Sequence, residues 1–96
     1  MLKFAAAVIG FASIAAAAVA SADPPAGAAA CSGCHPASAR VQSPVRRLAG
    51  LDRAAIVTAM QDFRSGKRAA TVMDRIAKGF TDDEIQAIAA WFATQK

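Results

Sequence analysis

Cys31-Ser32-Gly33-Cys34-His35 gathers both cysteines and the single histidine of a 96-residue chain into five consecutive positions. On a helix, Cys34 and His35 lie three and four residues beyond Cys31, so both sulfurs and the imidazole project from one face. C-x-x-C-H is the attachment signature of c-type haem. The sulfurs can form thioethers with two vinyl groups while a ring nitrogen of His35 reaches the iron from the same side, and Gly33 leaves room for the macrocycle beside the backbone. Three other uses compete. A disulfide suits an exported chain, but a bridge across two residues closes too short a loop to constrain much unfolded entropy. A thiol-disulfide oxidoreductase also reads C-x-x-C, yet it expects a βαβ setting that the sequence lacks. Zinc needs more ligands than these three residues provide. One covalent haem c per chain is the preferred reading.

Upstream of the motif, Lys3 precedes an apolar run over residues 4–20, followed by Ala20-Ser21-Ala22 and then Asp23-Pro24-Pro25. A basic start, an apolar centre and a small-x-small tripeptide predict a secretory signal over 1–22, cleaved after Ala22, which places the mature chain in the periplasm. A retained membrane anchor is the competing reading of so short a run. Residues 1–22 hold 18 of the 53 hydrophobic residues, and 17 of the 35 that remain are alanines. A domain over 23–96 with so few large apolar side chains needs a staple. Covalent haem would supply it.

The rest of the chain reads as all-α, with three or four short helices. The first spans 27–35 and stops at Pro36, and 37–50, which contains Ser43-Pro44, reads as a loop. Asp52 can cap a second helix in which Ile56, Met60 and Phe63 share a face, closed by Ser65-Gly66. Residues 73–78 can form one or two turns ending at Gly79. Thr81-Asp82-Asp83-Glu84 is a capping box, followed by Ile85, Ile88, Ala89 and Phe92 at core spacing. A six-coordinate haem iron needs a second axial ligand, for which a methionine thioether is suited. Met60 and Met73 are available in the mature chain; Met60 lies on an apolar helix face, so the choice falls on Met73.

With the pentapeptide, Leu48-Ala49-Gly50, Met73 and the C-terminal amphipathic helix, the mature chain resembles the class I cytochromes c over nearly its whole length. The stretches 63–68 and 71–85 are most similar to the haem subunits of flavocytochrome c sulfide dehydrogenases. The resemblance implies Cys31 and Cys34 as attachment residues, His35 as proximal ligand, Met73 as distal ligand, and N- and C-terminal helices that cross. Gly27 and Ala28 are small enough for such a contact, and Ile88 and Trp91 can fill it. Relatives carry Gly after the histidine, where this chain has Pro36. They also carry Pro two residues before Leu-Ala-Gly, where it has Arg46. The carbonyl of that proline accepts the proximal histidine N–H in relatives, which makes the carbonyls of Arg46 and Pro44 the two candidates here.

Between residues 36 and 80, nine Lys or Arg face three Asp, a local balance of +6. Such charge can steer a small electron carrier toward an acidic partner, or simply solvate a face. Nucleic acid does not fit an exported chain without a binding motif. The expected role is one-electron transfer and not catalysis, as haem subunit to an FAD-containing sulfide dehydrogenase subunit. The alternatives are a free periplasmic monohaem carrier, a thiol-disulfide oxidoreductase, or a haem peroxidase if Met73 leaves the iron open.

Overall fold

The computed structural model describes residues 23–96; the expected signal segment 1–22 lies outside them. Among the described residues the regular structure is wholly α-helical: α1 (Ala28–Ser32), α2 (Arg53–Ser65), α3 (Met73–Ala77) and α4 (Asp82–Thr94). α2 packs against both α3 and α4, and α1 packs against α4. The expected contact between the first and last helices is therefore present.

The two long helices begin where side-chain oxygens satisfy their first free N–H groups. The Asp52 carboxylate accepts the Ala55 N–H at 3.3 Å. At α4, Thr81 Oγ1 accepts the Glu84 N–H at 3.2 Å while Glu84 Oε1 accepts the Thr81 N–H at 3.4 Å. Asp82, Asp83 and Glu84 sit in its first turn, where negative charge complements the helix dipole. α2 ends at Gly66, whose φ of 82° lies in the left-handed region and whose N–H closes onto the Phe63 carbonyl.

α1 is shorter than the 27–35 expected from the sequence. After Ser32 the backbone tightens, with the Gly33 N–H bonding to the Ala30 carbonyl and the Cys34 N–H to the Cys31 carbonyl, both three residues back. The His35 N–H still reaches the Cys31 carbonyl at 2.8 Å, so one helical turn survives from Cys31 to His35.

The core is small, as the alanine content predicts. Its buried apolar residues are Ile56, Val57, Met60, Ile85, Ile88 and Phe92, with Ala28, Ala49, Ala77 and Ala89 between them. Alanines let backbones approach, and at Gly27 there is no room even for a methyl group. This residue caps α1 at φ 90°, and a Cβ there would stand 2.6 Å from Phe80 Cε1 and 3.1 Å from Ile88 Cδ1. Ile88 fills this contact as expected. Its companion is Phe80 rather than Trp91, which packs half-buried with its ring edge-on to Phe92 at 4.9 Å between centroids.

Gly27→Ala would add backbone strain and overpacking together, about 2–4 kcal/mol, or a fall of roughly 10–25 °C in thermal midpoint. Gly66→Ala shares only the strain, since its Cβ would meet nothing within 4 Å. Thermal melts of the two variants should therefore differ, with Gly27→Ala the lower; equal losses would contradict the close α1–α4 approach.

Candidate haem-attachment site

The site is built on the turn from Cys31 to His35. Cys31 is half-buried against the apolar core, and Cys34 is exposed one turn further on. The two form no disulfide with each other. Burial pushes the Cys31 thiol pKa upward, against a smaller opposing effect of a backbone hydrogen bond. Among the described residues no group of three or more His, Cys, Asp or Glu side chains gathers that could hold a metal ion.

His35 is oriented by the loop that follows it. Its Nδ1 lies 2.6 Å from the Arg46 carbonyl oxygen. A carbonyl only accepts, so Nδ1 carries a proton and Nε2 is the nitrogen left for a metal, the arrangement a ligating imidazole takes. Of the two candidate carbonyls, the structure uses that of Arg46. Proline at that position contributes only a carbonyl to this contact, and every residue has one, so the change to arginine preserves it.

Several weaker ties hold the Arg46 carbonyl in place. Ser43 Oγ accepts the Val45 N–H at 3.1 Å, closing a turn around Pro44, and donates to the Cys34 carbonyl at 3.5 Å. Buried Pro36 accepts the Ala49 N–H through its carbonyl at 3.5 Å. At Leu48-Ala49-Gly50 the chain turns, and the Gly50 N–H bonds to the Phe92 carbonyl at 3.0 Å. The loop thus runs from the Cys-His turn to the C-terminal end of α4.

The two methionines occupy different settings. Met60 is 8% exposed inside the core, in line with its apolar helix face. Met73 is the first residue of α3, half-buried, and packs against the same apolar cluster as Cys31. Sequence reasoning missed Phe80, whose ring lies against Gly27, and Arg64, which bonds to the Phe80 carbonyl and to Asp82. No sequence periodicity links those positions; only the tertiary fold does.

Of the nine basic residues between 36 and 80, Arg64 alone makes an ion pair among the described residues, with Asp82. The other eight are exposed. Arg53 bonds to Gln86, and the Arg68 guanidinium lies over the Phe63 ring, 4.9 Å from its centroid. No described helix is long and apolar enough to cross a membrane.

Because the acceptor for His35 is a main-chain oxygen, Arg46→Ala should keep the bond, with the Nδ1–H proton still visible in ¹H–¹⁵N spectra of the variant. Its loss there would show that the arginine side chain sets the ring instead.

No protein-family model matches the chain. Over 62 residues it is 42% identical to the cytochrome subunit of sulfide dehydrogenase of Chlorobaculum tepidum, an alignment covering 65% of this chain and 56% of that protein. Over 63 residues it is 40% identical to the thiosulfate dehydrogenase electron acceptor of Stutzerimonas stutzeri, covering 64% of this chain and 29% of the relative. The chain thus spans little more than half the length of the first and under a third of the second. Together with the all-helical architecture, these likenesses support a small cytochrome c.

Proposed function

We propose that the protein is an exported monohaem cytochrome c that carries one electron at a time. The observation that supports this most directly is the Cys31–His35 turn, with two thiols one helical turn apart and an imidazole whose Nδ1 is engaged by the Arg46 carbonyl. The donor set fits haem c. Cys31 and Cys34 would hold the porphyrin through thioethers, His35 Nε2 would bind the iron, and Met73 would offer its sulfur from α3. When bound, the haem supplies the Fe(III)/Fe(II) couple, whose potential thioether ligation and an apolar setting raise.

The protein's own task in that cycle is to keep the ligands still. The Arg46 carbonyl fixes the His35 ring, and the core that buries Ala28 and Ala77 holds α1 and α3 in place. An electron can then enter or leave with little rearrangement of the chain. The exposed cations between Arg40 and Lys78 would draw the protein toward an acidic docking surface.

The chain would serve as haem subunit to an FAD-containing sulfide dehydrogenase subunit in the periplasm, taking electrons from the flavin. The likeness to a named cytochrome subunit of sulfide dehydrogenase supports that partner. A second reading, a free periplasmic carrier, draws on the likeness to a named electron acceptor. Co-purification separates the two: a stable flavoprotein partner supports the subunit, and a monomer in full yield supports the carrier.

Met73→Ala should abolish the methionine-to-iron charge-transfer band of the oxidised protein and open a coordination position, while Met60→Leu leaves the band in place. An unchanged spectrum in Met73→Ala would reassign the distal ligand. The rate of electron transfer to the partner should fall roughly tenfold or more as salt rises from about 0.01 to 0.15 M. A salt-insensitive rate would remove the steering role of the cations.

A further inference from the structure

Arg64 stands in the last turn of α2 and reaches across to the connection between α3 and α4. Its Nη1 donates to the Phe80 carbonyl at 3.2 Å, and its Nη2 pairs with the Asp82 carboxylate. The two acceptors flank Thr81, so one planar guanidinium grips this connection on both sides. A guanidinium suits the task because it presents several donors in a fixed fork; a lysine ammonium is a single point charge.

The segment gripped adjoins two other parts of the molecule. Toward α1, Phe80 turns its ring onto Gly27, the residue that caps the helix carrying Cys31. Toward α3, the exit from the helix is a tight turn in which the Gly79 N–H bonds to the Ile76 carbonyl and the Phe80 N–H to the Ala77 carbonyl. α3 itself has five residues, too few to hold its own conformation in water. Its placement therefore depends on its packing against α2, on the burial of Ala77 and on whatever anchors its two ends. The entrance carries Met73, and the exit is the segment that Arg64 holds.

We propose that Arg64 is a positioning residue for Met73: by gripping the Phe80 carbonyl and Asp82 it fixes the exit of α3, and through that short helix it sets where the Met73 sulfur stands. The inference rests on the reading of Met73 as distal ligand. It adds a residue that touches neither the haem nor the methionine yet governs how firmly the sulfur stays bound. Loss of the grip frees α3 at one end while the rest of α2 and α4 stays packed, so the methionine bond should fail before the helices do.

The test is a thermal ramp of the oxidised holoprotein followed by two signals, the methionine-to-iron charge-transfer band and the helical far-UV circular dichroism. In the wild type the two should be lost together. In Arg64→Ala the band should be lost roughly 5–10 °C below the helices. Arg64→Lys, which keeps the charge but not the fork, should show a smaller gap. If the two signals in Arg64→Ala fall together, or neither moves, Arg64 is merely structural and the inference is overturned. Should Arg64→Ala yield no folded holoprotein, Asp82→Asn weakens the ion pair and spares the Phe80 bond, and the same comparison decides: a gap supports the inference, coincidence overturns it. A wild type without the band removes the distal-ligand reading itself and the inference with it, a result distinct from a wild-type band with no gap in the variants.

Discussion

The hydrogen bond from His35 Nδ1 to the Arg46 carbonyl is the constraint around which the site is organised. It joins a helical turn to a loop with no regular structure, and it requires a proton on Nδ1 of the ring. For the carbonyl to stand there, the intervening chain must fold back, and the Ser43 turn and the Pro36–Ala49 bond hold it so. The loop then ends on α4 through the Gly50 to Phe92 bond. Local chemistry at one imidazole is in this way tied to the packing of the longest helices.

That packing uses little bulk. With alanine at four of the ten buried apolar positions, the helices gain contact through close approach more than through large side chains. Close approach leaves little tolerance, which is why a glycine with φ 90° stands where α1 meets Phe80 and Ile88. The same scarcity gives weight to single polar contacts. A grip such as that of Arg64 on the α3–α4 connection matters more in a thin core than it would in a thick one.

Much of the architecture was legible in the sequence because it is encoded locally. The Thr81 and Glu84 box, the Asp52 cap and the Gly66 stop all act within a few residues of themselves, and each occurs where the chain indicates. The spacing of Ile56 and Met60 likewise forecasts their burial. The fourfold and threefold steps of the Cys-His motif survive as a single turn, although the helix containing it is shorter than its composition suggests. What escaped sequence reasoning is long-range. The partner of Gly27 lies 53 positions away, the acceptors of Arg64 lie 16 and 18 away, and the choice between two carbonyls depends on how a loop closes. None of these leaves a periodic trace, because each depends on where separate helices come to rest.

The most direct test of the account is a pyridine haemochrome spectrum of the protein purified from its native host, taken with quantitation of haem per chain and of free thiol. The account predicts one haem per chain with both vinyl groups saturated by Cys31 and Cys34 and no thiol left to titrate. A haem-free product with two reactive thiols would contradict it.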